Sequence, residues 1–449
     1  MSTANEQRHR MLTETPVPEL IRKLALPTII SMLVTGIYNS ADTYFVGRIS
    51  TEATAAVGLV FSIMAIIQAL GFFCGHGSGN YLSRLLGAGK MQEANEVAVT
   101  GFAMAMAIGT AMAVLGNLFA PQLADFIGAT SASRADTMAY MRIILIGAPF
   151  MMCQFVINNQ LRFQGSAMIA MIGLLIGAVM NIILDPVLIF VFDMGIQGAA
   201  IATVCGQITS FFALLRGSLR GANIRLSFKN LTWNPHHIAE IANGGMPSLM
   251  RQGLASAATL LLNRSAMLYC GDAAVAGMSI VTRIMMLISS VLIGFGQGYQ
   301  PVCSYNYGAK HYDRVIEGFN YCVKFGTVMM TAAAVLLWIS PASVVGWFRN
   351  DPEVISVGAR GLRWQACALP LMSYSTLSNM MLQAAGKGLK ASITSSARSG
   401  IFFIPLILIL PSLLGLSGVI MAQAIADVLA FLLCVPVASG ELKIMRSEK

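Results

Sequence analysis

The chain has 449 residues, 56% of them hydrophobic and 11% charged, with a formal net charge of +9 and a mean hydropathy of +0.69. A soluble domain carries about 25% charged residues, so the composition excludes an ordinary soluble enzyme and describes an integral membrane protein. In such a protein +9 reflects basic loops, and no nucleic-acid partner is expected. The eight cysteines are scattered with no Cys-x-x-Cys spacing, and most lie in apolar runs, as small core residues do. No cleavable signal peptide is apparent: the N-terminus is polar through Thr15, and the first apolar run is a full span holding Pro27 and Asp42.

Hydropathy predicts twelve spans, near 20–47, 54–86, 95–118, 138–160, 168–191, 197–217, 240–266, 273–306, 313–342, 358–384, 390–412 and 416–437. The second and eighth exceed the ~20 residues that cross a bilayer and should tilt or extend beyond it. An even count puts both termini on one side. Placing them in the cytoplasm gives that side eighteen Lys and Arg, Arg84 and Arg162 among them, against six outside, as the positive-inside rule requires. The expected location is the plasma (inner) membrane.

The chain also repeats itself. Leu26-Pro27 matches Met246-Pro247, Gly75-His-Gly77 matches Gly296-Gln-Gly298, and Ser83-Arg-Leu-Leu-Gly87-Ala88 matches Ser304-Tyr-Asn-Tyr-Gly308-Ala309. Pro149 matches Pro370, Gln164-Gly165 matches Ala385-Gly386, and Gly195-Ile-Gln-Gly198 matches Gly415-Leu-Ser-Gly418, all at offsets of 220 or 221. Six spans per half is even, so the halves run parallel and relate by a pseudo-twofold axis along the membrane normal. The predicted fold is therefore all-α: an N-lobe over 1–217, a basic cytoplasmic linker over 218–239 and a C-lobe over 240–449.

Asp42 lies inside the first span, where a carboxylate is costly on any scale and its default reading is functional. Its best partners are Asn181 and Asp185 in the fifth span, four residues apart and on one helix face. Two carboxylates in one low-dielectric pocket do not both stay charged easily; one holds a proton, or both share a cation. Pro186 removes a backbone donor and frees the carbonyl of Ile182, a further candidate ligand. The plainer alternative is a static polar network gluing spans together.

With these features in place, the chain resembles the multidrug and toxic compound extrusion family over essentially its whole length. The resemblance rests on the parallel repeat, on Asp42-x-x-x-x-Gly47, on Ser83-Arg84-Leu-Leu-Gly87-Ala88 with its echo Tyr307-Gly308-Ala309, and on Asn181-x-x-x-Asp185-Pro186. It looks most like the branch whose cation site lies in the N-lobe. That likeness implies a coupling site of Asp42, Asn181, Asp185 and Thr203, with Tyr38 and Tyr140 nearby. Na⁺ would suit those oxygen donors, by analogy with other hard cations; H⁺ is the other candidate coupling ion. No organic cofactor is implied. The family's other branch uses acidic residues on the seventh and tenth spans, where this chain has Arg251, Arg264 and neutral residues such as Ser378 and Asn379.

Other intramembrane polar residues admit more than one role. Asp427 reads either as a packing partner for Arg398 or Arg283 or as a transport residue. Arg251 and Arg283, with Tyr38 and Tyr140, are candidates for the substrate cavity, whereas Arg264 suits snorkelling to the outer interface. His76, between Gly75 and Gly77, reads first as a satisfied imidazole in a close helix crossing. The 29 methionines are mostly filler, although soft Met and aromatic walls suit a promiscuous site. The expected function is a monomeric secondary-active exporter of amphipathic or cationic compounds, driven by Na⁺ or H⁺. A lipid-precursor flippase of related architecture is the alternative. A membrane transferase is disfavoured by the missing paired-acid metal motif, and ATP drive by the missing Walker motif.

Overall fold

In hydrocarbon every backbone polar group must be satisfied within the segment, which leaves an apolar run of this length one option, the helix. The computed structural model describes residues 3–220 and 223–448, and every regular element among them is helical. The helices are α1 (Thr3–Thr13), α2 (Val17–Val46), α3 (Thr51–Gly87), α4 (Met91–Leu118), α5 (Ala120–Phe126), α6 (Arg134–Phe163), α7 (Ala167–Pro186) and α8 (Gly195–Ser218). Then come α9 (Pro235–Gly308), α10 (Tyr312–Ile339), α11 (Pro341–Gly346), α12 (Pro352–Ala384), α13 (Gly388–Ser396), α14 (Phe403–Leu414) and α15 (Leu416–Ser447). α9 is two spans joined at a sharp break, Gly271, whose φ of 71° and ψ of −168° suit a residue without Cβ.

Twelve spans result: α2, α3, α4, α6, α7 and α8 in one half, and the two limbs of α9, α10, α12, α13 with α14, and α15 in the other. Ten of the twelve are apolar enough to cross a bilayer on composition alone. The seventh, over 235–270, and the tenth, α12, are more polar because they carry Arg251, Arg264, Arg360 and Arg363. The long second span holds: α3 has 37 residues, about 55 Å at 1.5 Å per residue. α1 was not expected. Its polar sequence is anchored by Leu12, fully buried, by His9 Nδ1 against the Tyr305 hydroxyl at 2.9 Å, and by the Leu12 carbonyl accepting from Asn306 at 3.0 Å.

The halves repeat in backbone detail. Residues with positive φ recur at Gly89 and Lys310, Gly165 and Gly386, and Gly195 and Gly415. The short helices α5 and α11 both carry a proline within their first two positions, Pro121 and Pro341. Each half has its own apolar core, one built on Ile67, Tyr140 and Met152 and the other on Leu262, Met278 and Phe403. A third core joins them at the end that carries α1, where Leu24, Leu82, Phe295, Tyr299 and Met381 pack together.

At that end the lobes meet backbone to backbone. A Cβ on Gly77 would strike the Ile241 carbonyl, one on Gly87 the Tyr305 carbonyl, and one on Gly308 the Arg84 carbonyl. The hydroxyl that follows each repeat proline then reaches across. Thr28 donates to the Gly294 carbonyl at 2.6 Å, and Ser248 meets His76 Nδ1 at 2.9 Å. Exposed Val114, Leu118, Phe212, Ile339 and Leu408 give the outer face the apolar surface that lipid requires.

Candidate functional site

α2 carries Tyr38 and Asp42 one turn apart, α7 carries Asn181 and Asp185 one turn apart, and α8 supplies Thr203 and Gln207. Packing of α2 and α8 against α7 brings these pairs together inside the N-lobe. Asp185 and Asn181 are 0% and 1% exposed, and Thr203 is 3% exposed. The Asn181 amide donates to Asp185 Oδ1 at 3.4 Å and to Thr203 Oγ1 at 3.5 Å, both long bonds. Asp42 bears electrostatically on Asp185, and both act on the Tyr38 and Tyr140 hydroxyls. Burial, like charge and weak amide bonds leave two acidic groups without adequate compensation.

Five buried oxygens in this cluster have no hydrogen-bond partner among the described residues: Asp42 Oδ1, Asn181 Oδ1, Asp185 Oδ2, Gln207 Oε1 and the Tyr140 hydroxyl. Buried polar atoms are normally paired, so converging orphan acceptors call for a positive species. The donor set of two carboxylates, an amide oxygen and a hydroxyl is hard and suits Na⁺ or a proton. Among the described residues no three His, Cys, Asp or Glu groups come together to hold a softer metal. Beyond Asp185 the helix widens at Pro186 into a π turn over Val187–Val191, a distortion frequent beside functional groups.

A cleft enclosing about 1390 Å³, including space open to solvent, runs between this cluster and the C-lobe. Tyr38, Asn181 and Thr203 line it, with Met32, Met64, Met151, Phe61, Phe72 and Phe155 as a soft apolar wall. Asp42 and Asp185 are not part of that lining, so the cleft reaches Asp185 through the Asn181 amide. The floor holds His76, Arg162, Arg251 and Gln297.

Some cavity candidates are corrected. Arg251 lines the cleft as expected, but Arg283 does not; it is exposed, one turn from Leu287, which faces Gly36 of α2. Tyr140 is fully buried in the N-lobe core and does not line the cleft either, because α6 turns that face inward. Asp427 pairs with Arg398 at 2.6 Å and accepts from Gln423 at 2.9 Å, and it lies outside the cleft lining. Arg264 is exposed.

His76 is satisfied at both ring nitrogens, by Ser248 and by Arg162 Nη2 at 2.9 Å, and stacks on Phe72 at 5.1 Å. Arg162 is 2% exposed, not a loop charge. Sequence reading passed over it and over Gln154 and Asn158, which also line the cleft. The available signal was their spacing: three polar residues at i, i+4 and i+8 mark one face of an otherwise apolar helix.

The MatE family model matches residues 27–187 and 247–409, one segment in each lobe. The multidrug export protein MepA of Staphylococcus aureus is 28% identical over 421 residues, covering 93% of each chain. An outward-facing multidrug resistance MATE family transporter of the MOP superfamily superposes with a TM-score of 0.90 at 25% identity, covering 97% of this chain and 98% of that one. A MOP superfamily transporter from Pyrococcus furiosus with a binding pocket of reverse polarity superposes equally well, 0.90 at 24% identity over 98% of both chains. With both matched segments falling on the two lobes that carry the repeat, the chain belongs to the MatE family, the multidrug and toxic compound extrusion transporters.

Proposed function

We propose that this protein is a secondary-active multidrug exporter that expels amphipathic, often cationic, compounds in exchange for Na⁺ or H⁺. The observation that carries this reading is the convergence of orphan oxygens on Asp42, Asn181 and Asp185, one amide away from a Met- and Phe-walled cleft. The cation site is Asp42, Asn181, Asp185 and Thr203. Cation entry neutralises the carboxylates, changes how α2 and α7 pack, and lowers the affinity of the cleft for a cationic substrate. Release on the other side restores it. The cycle alternates the sealed end of the lobes with the open one.

Both termini face the cytoplasm of a cell whose plasma membrane the chain crosses, a sense supported by the charge bias. The Gly77 and Gly87 contacts then seal the cytoplasmic side, and the cleft faces outward. A single chain holds the whole site, so the transporter works as a monomer. The test is dye efflux from proteoliposomes under an imposed Na⁺ gradient and, separately, an imposed ΔpH. Acceleration by either gradient supports antiport; indifference to both overturns it.

A further inference from the structure

We propose that Arg162 and Arg251 form an anion subsite on the floor of the cleft, which takes the carboxylate of a zwitterionic amphipathic substrate. The proposal rests on the efflux reading above and names the chemical class of its substrate.

Arg162 is buried, and its bonds go to neutral acceptors: Gln297 Oε1, His76 Nε2 at 2.9 Å and Asn159 Oδ1 at 2.7 Å. Its Nε has no partner among the described residues. Arg251 donates to Asn379 Oδ1 at 3.4 Å, a weak bond, and is close enough to repel Arg162 electrostatically. Neither has a carboxylate within ion-pair distance among the described residues, whereas Arg84 has Glu240 and Arg398 has Asp427.

Two like charges facing one cavity without a counter-charge are unfavourable in a low dielectric. A purely structural role would need only neutral donors at the Gln297, His76 and Asn159 acceptors; an unshared charge is useful when an anion arrives. Guanidinium groups recognise carboxylates by charge-assisted hydrogen bonds.

The two poles of the cleft have opposite sign. Behind Asn181 lie the carboxylates, and on the floor lie the guanidinium groups. Gln154 and Arg162, both in the lining, are eight residues apart on α6, roughly 12 Å of rise. The lining therefore extends far enough along α6 for a flat drug-sized molecule to lie with one end on Arg162. The anionic oxygens of a phospholipid headgroup present the same chemistry as a carboxylate.

The test uses the full chain in lipid-free detergent with two probes, a xanthene dye bearing a free carboxylate and the alkyl ester of that dye. The readout is the ratio of their Kd values. Arg251→Gln should weaken the acid relative to the ester by about tenfold, as loss of one charge-assisted bond implies, and Arg251→Lys should recover part of it. An unchanged ratio overturns the subsite while leaving efflux intact. Failure of the parent chain to bind either dye overturns the efflux reading, and the subsite with it. Mixed micelles containing phosphatidylglycerol separate the two anion sources. Displacement of the acid in the parent but not in Arg251→Gln assigns the subsite to lipid phosphate as well, and no displacement assigns it to substrate alone.

Discussion

Asn158 and Asn379, 221 positions apart, make the same bond: each amide donates to the carbonyl twelve residues on, Ala170 at 3.0 Å and Ala391 at 2.6 Å. Each ties one span to the next across its loop. Interhelical bonds of this kind contribute roughly 1 kcal/mol in a membrane. Asn158→Ala and Asn379→Ala should therefore each lower the melting temperature of the solubilised protein by a few degrees. Only Asn158 lines the cleft, so only its variant should also weaken binding of the ester dye, a probe that does not engage Arg251, the partner of Asn379. Equal losses of binding in both would remove the distinction.

Asp42→Asn and Asp185→Asn should each abolish gradient-driven efflux while leaving folded protein, as judged by gel filtration. Two coupled carboxylates share protons, so raising the pH strips them and substrate binding by the parent should rise with pH. In Asp185→Asn that dependence should flatten. Efflux near the parental level in Asp42→Asn would move the coupling site elsewhere.

Gly77→Ala should hinder closure of the sealed end, because its Cβ has no room beside the Ile241 carbonyl. Overpacking costs about 1–3 kcal/mol, and here it falls on one state of the cycle, so turnover should drop about tenfold or more. Gly253→Ala, with open space around it, is the control and should behave as the parent. Cysteine cross-linking between α3 and the first limb of α9 reports closure directly.

Asp427→Asn removes the charge that Arg398 faces. The Arg398 side chain is 32% exposed, so the loss should be about 1–2 kcal/mol, below the ~3–5 of a fully buried pair. Arg398→Gln in the same chain should recover much of it. Efflux per folded molecule should stay unchanged in both, since the pair lies outside the cleft; a collapse of efflux would give Asp427 a transport role.

Single cysteines at exposed Ser131 and Arg349 should react with an impermeant maleimide added outside cells, and those at exposed Lys90 and Lys310 should not. Wholesale reversal would overturn the cytoplasmic placement of the termini.

The repeat was legible because its punctuation is chemical: the turns at Gly165 and Gly386 and at Gly195 and Gly415 need positive φ, and glycine supplies it. Asp42, Asn181 and Asp185 were legible because a carboxylate in an apolar run stands out. Arg162 was not, since an arginine at the end of a span reads as a loop charge until tertiary packing buries it. Arg283 failed in the opposite sense, because hydropathy says that a charge lies in a span and not which face it takes. The anchoring of α1 was invisible, as Tyr305 and Asn306, which hold it, are about 300 residues away.

Internal duplication placed Leu262, Phe402 and Leu406 where the other half has Asp42, Asn181 and Asp185. Leu262 sits in the C-lobe core, with Phe402 and Leu406 packed against it. Among the described residues that half therefore has no counterpart of the cation site proposed for the N-lobe. With two acidic groups as the whole store of compensating charge, one turnover should bring in no more than two positive charges. Expelling a dication should then be electrically silent at most and never inward-driven by the membrane voltage, whereas expelling a zwitterion should draw the full benefit of that voltage.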